Sequence, residues 1–64
     1  MINIDGNRFL IMMFSLGLSY RQLAKAIGCS QQGLAYNVKV GRISPEKAAK
    51  IEEVFGVPVS YYAI

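Results

Sequence analysis

Histidine is absent from this sequence, and cysteine occurs once, at Cys29. Without a histidine the thiol lacks its usual activating base. The sequence also shows no paired carboxylates in a plausible cleft, no phosphate-cradling glycine loop and no cluster of metal ligands. We therefore expect a protein that is not an enzyme, with no cofactor, no metal and no small-molecule substrate. A single cysteine also forms no intrachain disulfide, which is typical of the reducing cytoplasm.

Acidic residues are scarce, and their placement is uneven. None lies between Gly6 and Pro45, a span whose basic side chains give it five positive charges: Arg8, Arg21, Lys25, Lys39 and Arg42. The four acids of the chain lie outside that span: Asp5, Glu46, Glu52 and Glu53. This asymmetry favours a polyanion bound to one side of the protein, the alternative being an ordinary solvated basic surface.

The length of 64 residues predicts one small domain, residues 1–64. Hydrophobic residues make up 53% of the chain, which is more than such a core can hide, so we expect apolar surface to remain for a partner. The apolar run over residues 9–14 is too short to span a bilayer, which takes about 20 residues. A signal peptide is also rejected, because Arg21 and Lys25 interrupt the approach to the cleavage-like residues 24–26.

The same apolar run predicts a first helix over residues 8–16. A helix that is apolar on all sides is expected to be covered on more than one side. We hypothesise that its outer face meets another chain. The alternative is that Leu10 and Phe14 pack under the last helix and only Ile11 is exposed.

Residues 20–39, YRQLAKAIGCSQQGLAYNVK, predict two short helices joined by a tight corner. Ser19 and Ser30 have the chemistry of N-caps, and Gly28 stands where a left-handed residue commonly ends a helix. Helical spacing places an apolar set on the inner face: Leu23, Ala24, Ile27, Leu34 and Val38. The opposite stripe of the second helix is formed by Gln31, Gln32, Ala35, Tyr36 and Lys39.

This stretch resembles the helix-turn-helix of phage repressors and Cro proteins, the lambda-repressor-like family. The matching residues are Leu23, Ala24, Ile27, Gly28 and Leu34, and the likeness extends to the flanking segments over about residues 7–64. The resemblance implies an all-α fold, a compact bundle of about five short helices in which helices 2 and 3 form the helix-turn-helix.

Two residues of helix 3 depart from the family pattern. Asn37 stands where the family usually has an apolar residue. Gly33 is a poor helix former and costs roughly 1 kcal/mol against alanine. It either permits close approach to DNA or is simply tolerated. The end of this helix is closer to the Cro type than to the common repressor type.

The chain outside the corner has its own boundary signals. Ser44 and Pro45 predict the start of a fourth helix, and Gly56 its end. The solvent face of that helix is predicted to carry Lys47, Lys50, Glu52 and Glu53. A last helix is expected over residues 60–64 with Ser60 as its cap. Residues 1–7 are expected to be frayed, and the candidates for the cap of helix 1 are Asn3, Asp5 and Asn7.

The resemblance, together with the apolar run of the first helix, indicates three sets of functional residues. Those expected to read bases are Gln31, Gln32 and Tyr36. Those expected to hold DNA phosphates are Ser19, Tyr20, Arg21, Ser30, Lys39, Arg42 and Ser44. Those expected to contact a second copy or another partner are Leu10, Ile11, Phe14, Tyr61, Tyr62 and Ile64.

We therefore expect a cytoplasmic, sequence-specific transcription regulator of the Cro or repressor kind from a phage or mobile element, acting as a homodimer on a two-fold DNA operator. No membrane association is expected. The alternative is a protein-interaction module that kept the fold and binds another regulator through its apolar faces. A fragment of a longer regulator is a further possibility, since some members of the family continue into a second domain.

Overall fold

Four α-helices and a short 3-10 turn form the fold in a computed structural model that describes residues 1–64. In chain order the elements are β1 (Ile2–Asn3), α1 (Gly6–Ser15), α2 (Tyr20–Ile27), α3 (Gln31–Val40), β2 (Arg42–Ile43), α4 (Pro45–Phe55) and a 3-10 turn (Val59–Tyr61). The all-α class is confirmed, but the predicted fifth helix is only this turn, and it has no side-chain cap. No helix has both the length and the apolar character needed to cross a bilayer.

The first residues are held by pairing, so the prediction of a frayed segment is wrong. β1 pairs antiparallel with β2, with Ile2 opposite Ile43. Ile4, which follows β1, is 1% exposed, and its N–H donates to the Gly41 carbonyl oxygen at 2.9 Å. A strand of two residues is too short for the alternation of apolar and polar residues to be recognised in a sequence.

Asp5 is the cap of α1, which decides between the three candidates. Its Oδ1 accepts hydrogen bonds from the backbone N–H groups of Asn7 at 3.0 Å and Arg8 at 3.2 Å. The helix therefore begins at Gly6, earlier than the predicted start at Arg8. A Cβ at Gly6 would lie 2.9 Å from the Val38 carbonyl oxygen, so the glycine permits α1 to approach α3 closely.

The corner between α2 and α3 has the predicted caps. The Ser19 hydroxyl accepts the Gln22 N–H, and the Gln22 side chain accepts the Ser19 N–H in return, so the two residues form a capping box. Gly28 ends α2 in the left-handed region with φ of 77°. Ser30 caps α3 by accepting the Gly33 N–H at 3.0 Å. These local hydrogen bonds determine where α2 and α3 start. The packing of the two helices depends on their apolar side chains.

One hydrophobic core joins all four helices and both termini. Its members are Ile4, Phe9, Met13, Leu23, Ala24, Ile27, Leu34, Val38, Ile43, Ala48, Ile51, Phe55 and Tyr62. Three aromatic rings meet inside it: the Phe9 centroid is 5.4 Å from that of Phe55 and 5.2 Å from that of Tyr62. Aromatic pairs at these separations add to the stability gained from burial alone.

Tyr62 belongs to that core, which corrects its assignment as a partner contact. Its side chain is fully buried, whereas the adjacent Tyr61 is exposed. Tyr61 is the last residue of the 3-10 turn and Tyr62 follows it, and the Asp5 N–H donates to the Tyr62 carbonyl oxygen at 2.7 Å. Of the two tyrosines, only Tyr61 is therefore available to another chain.

The buried Tyr62 hydroxyl predicts a stability change at alkaline pH. It has no hydrogen-bond partner, and burial, followed by the charge of Glu52, raises its pKa to about 12 from 10.0. The protonated form is therefore favoured by folding. The protonated hydroxyl makes its full contribution to the free energy of unfolding below about pH 10. That contribution is lost as the pH rises towards about pH 12.

We expect Tyr62→Phe to match or exceed the wild type in stability near pH 7, because the hydroxyl makes no bond. At about pH 11 the wild type should fall behind this variant by about 1 kcal/mol. Urea unfolding at both pH values measures the difference. Tyr61→Phe, at the exposed neighbour, is the control and should follow the wild type throughout. A gap between wild type and Tyr62→Phe that does not widen with pH would contradict the assignment.

Candidate nucleic-acid interface

The outward side of α3 carries the amide and aromatic side chains that the sequence indicated. Gln31, Gln32, Tyr36 and Lys39 are all exposed, while Leu34 and Val38 on the opposite side are buried. Ala35 is half-buried rather than fully outward. The first turn of α3 thus presents two exposed amides, one at each of two consecutive positions.

Three of the predicted phosphate contacts are serines at helix N-termini. Ser19 caps α2, Ser30 caps α3 and Ser44 caps α4, and each hydroxyl accepts the backbone N–H of the residue three positions later at 3.0–3.2 Å. A hydroxyl that accepts one bond still has its own proton to donate. The three caps can therefore support their helices and still offer a donor to an anion. Ser44 is the least accessible because it is half-buried.

The basic predicted contacts have no acidic partners. Arg21, Lys39 and Arg42 are exposed, and the one ion pair in the structure joins Arg8 to Asp5 at 3.8 Å. An exposed pair of this length contributes little to stability. The charges of Arg21, Lys39 and Arg42 are therefore free to interact with a polyanion.

An open groove of about 400 Å³ lies between the start of α1 and the second half of α3. Tyr20 and Lys39, predicted phosphate contacts from different helices, both line it, whereas Arg42 and Ser44 do not. Partial burial raises the pKa of Tyr20, so its hydroxyl remains a proton donor at neutral pH. The wall also includes Asp5, whose carboxylate is occupied as the cap of α1.

The outer face of α1 is apolar and uncovered. Ile11 is 68% exposed and Phe14 is 62% exposed, one helical turn apart. Leu10 is half-buried and packs against the core. Phe14 is exposed, so the alternative in which both residues pack under the last helix is wrong for Phe14. Tyr61 and Ile64 are exposed at the end of the chain.

Sequence reasoning missed a polar contact behind the exposed side of α3. Asn37 is buried at 8% exposure, and its Oδ1 accepts a hydrogen bond from Lys47 Nζ at 2.8 Å. Lys47 is half-buried, so its predicted place on the solvent face of α4 is wrong. The signal in the sequence was a polar residue at a position that is usually apolar, but its partner could not be identified without the arrangement of α3 and α4.

The geometry of α2 and α3 agrees with a comparison against known families. A family model described as helix-turn-helix matches residues 11–62, which is most of the chain. This protein belongs to the lambda-repressor and Cro-type helix-turn-helix family. No curated protein and no solved structure matches the chain.

Members of this helix-turn-helix family are DNA-binding transcription regulators rather than enzymes. The chain is accordingly a DNA-binding transcription regulator of the lambda-repressor type. Within the family match lie α2, the glycine corner and α3, and with them the exposed amides of Gln31 and Gln32.

Proposed function

We propose that this regulator is a sequence-specific repressor of the Cro kind, formed by one domain over residues 1–64, and that it reads the major groove with α3. The observation that carries the proposal is the pair of exposed amides, Gln31 and Gln32, in the first turn of a capped helix. The acid-free span around them supports the same function. We also propose that the protein acts in the cytoplasm, where it would meet its DNA operator.

Base reading follows from the chemistry of the glutamine amide. The amide has a donor and an acceptor, and it can pair with the N6 and N7 atoms of adenine in the major groove. Tyr36 lies about one turn beyond the two glutamines, where its ring can contact a thymine methyl group or its hydroxyl a phosphate. Each good bidentate pair discriminates against a wrong base by roughly 1–3 kcal/mol.

Phosphate contacts would set the register of α3 on the duplex. The proposed contacts are Ser19, Tyr20, Arg21, Ser30, Lys39, Arg42 and Ser44. The N-terminus of α2 adds free backbone N–H groups near Tyr20 and Arg21 that suit an anion. One copy of the chain has few basic side chains, so a single copy should bind DNA weakly.

We infer that two copies bind a two-fold operator, with half-sites about 34 Å apart. The exposed apolar pair on α1, Ile11 and Phe14, supports a contact between copies, together with the half-buried Leu10 beside it. Tyr61 and Ile64 extend the list of candidates. Such apolar residues gain most by leaving water at an interface.

Selection of bound sequences from a random DNA pool tests the function. We expect a two-fold motif whose binding weakens as salt rises from about 50 mM to about 200 mM, with a slope set by the number of phosphate contacts. A pool with no enriched motif, or equal affinity for all DNA, would reject sequence-specific repression.

Solution mass tests the dimer separately. We expect a dimer at high micromolar concentration, and Ile11→Ser combined with Phe14→Ser should return it to a monomer. Sedimentation equilibrium measures both. Arg8→Ser, an exposed polar position on the same helix, is the matched control and should leave the mass unchanged. A monomeric wild type at that concentration would contradict the proposal.

The same apolar face favours a second candidate function. A module that binds another regulator would also expose Ile11 and Phe14. The two candidates differ in DNA selectivity, because the interaction module does not require Gln31 or Gln32 to be free. Loss of selectivity in the random-pool experiment, with an intact fold, would favour the module.

A further inference from the structure

Asn37 and Lys47 form the only hydrogen bond between two side chains in the structure. Lys47 Nζ donates to Asn37 Oδ1 at 2.8 Å, and the bond joins α4 to α3. Every other side-chain hydrogen bond has a backbone partner no more than three residues away. This contact is therefore the one polar side-chain link between separate helices.

The remaining contacts of α3 are less directional. Leu34 and Val38 are buried in the core, and α3 packs mainly against α1 and α2. Apolar packing depends on the area removed from water and tolerates small rotations, whereas a hydrogen bond constrains both distance and angle. Asn37 is buried on α3 together with Leu34 and Val38, so a bond from α4 to its side chain limits rotation of α3 about its own axis.

Lys47 is itself well anchored. Its backbone N–H donates to the Ser44 hydroxyl at the N-cap of α4, at 3.2 Å, and its side chain is half-buried. It belongs to no ion pair, so the Asn37 amide is the one protein acceptor that its ammonium has. A hydrogen bond from a charged donor is stronger than one between neutral groups.

Gly33 shows how close this lysine comes to the base-reading turn. A Cβ on Gly33 would lie 3.9 Å from Lys47 Nζ and 2.8 Å from the Ser30 hydroxyl. The ammonium therefore lies near the first turn of α3, the turn that contains Gln31 and Gln32. A side chain at position 33 would also displace the hydroxyl that caps the helix.

We propose that Lys47 is a positioning residue for base reading: through Asn37 it fixes the rotation of α3 and so the direction in which Gln31 and Gln32 point. The inference rests on the proposed function, because it concerns specificity. It differs from a phosphate contact, since Lys47 acts through a neighbouring side chain and not on DNA. Replacing Lys47 should therefore reduce the preference for the operator over unrelated DNA more than it reduces the affinity for DNA in general.

The test compares Lys47→Met with Lys50→Met in binding to the selected operator and to unrelated DNA. Lys50 is exposed on the same helix, so both changes remove one charge. We expect Lys47→Met to bind the operator about tenfold more weakly than Lys50→Met, which is a difference of about 1.4 kcal/mol. Affinity for unrelated DNA and the salt slope should be the same in the two variants.

Asn37 variants provide the second arm. Asn37→Leu removes the acceptor and should reproduce the loss of selectivity, and the double variant with Lys47→Met should be no worse than either single change. Asn37→Asp keeps an acceptor and should restore selectivity. Asn37→Leu also secures the comparison if Lys47→Met fails to fold, because an apolar residue suits that buried position.

Two results of the DNA-binding comparison would overturn the proposal. One is operator affinity in Lys47→Met equal to that in Lys50→Met. The other is a salt slope smaller by about one in Lys47→Met alone, which is the signature of a direct phosphate contact.

Backbone amide spectra of the protein without DNA separate this inference from the proposed function. Lys47→Met should shift the amide signals of residues 31–36, and Lys50→Met should not. Unchanged α3 signals would reject the positioning role even if no operator were found. If α3 signals shift but no DNA is selected, the proposed function falls and the structural link stands.

Discussion

Phe9→Ala is expected to leave much of the protein unfolded at room temperature. Phe9 is fully buried and contacts the rings of Phe55 and Tyr62 at the centre of the core. Replacing a buried phenylalanine by alanine costs about 3–5 kcal/mol, since the lost burial is compounded by a cavity. A chain of 64 residues has a total stability of roughly 3–10 kcal/mol, so this single change removes a large part of it.

Thermal and urea unfolding followed by circular dichroism measure this loss. Ile11→Ala is the matched control, because it shortens an apolar side chain of the same helix that is already exposed. We expect that control to lie within about 0.5 kcal/mol of the wild type at concentrations where the chain is monomeric. A Phe9→Ala variant as stable as Ile11→Ala would mean that the aromatic cluster is not the centre of the core.

Gln31→Ala is expected to weaken operator binding by a factor of about 30 to 20,000. A bidentate amide contact is worth roughly 1–3 kcal/mol, and a two-fold operator contains it twice, so the loss is roughly 2–6 kcal/mol. The fold should be unaffected, since the Gln31 side chain is exposed and makes no hydrogen bond within the protein. Affinity for unrelated DNA should change little, because phosphate contacts supply it.

Gel shift against the selected operator and an unrelated duplex measures both affinities. Gln31→Met is the matched variant, since it keeps an unbranched side chain of similar length and helix propensity but lacks the amide. We expect it to lose as much operator affinity as Gln31→Ala. Retained affinity in Gln31→Met would show that the contact is apolar, and an equal loss on both duplexes would show that Gln31 does not read bases.

The helix-turn-helix could be predicted because its determinants are local. Ser19 and Ser30 cap helices that begin at the next residue, and Gly28 ends α2 in the left-handed region. These effects act within about one helical turn, so a sequence of 20 residues contains them all. The exposure of Gln31 and Gln32 followed from the same helical spacing.

Contacts between distant segments could not be predicted in this way. The pairing of Ile2 with Ile43 requires two strands of two residues each, far apart in the chain. The bond between Asn37 and Lys47 depends on where the start of α4 lies relative to α3. Neither contact produces a periodic pattern of residues that could be recognised in the sequence.

The assignment of Tyr62 to the partner contacts failed for a different reason. In an α-helix or a 3-10 turn, adjacent residues face different directions, so the exact phase of the last element decides which ring is buried. The predicted α-helix over residues 60–64 and the observed turn at Val59–Tyr61 differ in that phase. The sequence placed both tyrosines among the partner contacts, and only the structure identifies Tyr62 as a core residue.

The central claim is that the exposed amides at the start of α3 read bases in the major groove. Its most direct test is to select operators from a random DNA pool with the wild type and with Gln31→Ala side by side, and to compare preferences position by position. We predict that the variant loses preference at one base pair in each half-site and keeps the rest of the motif. An identical motif for both proteins would contradict the claim.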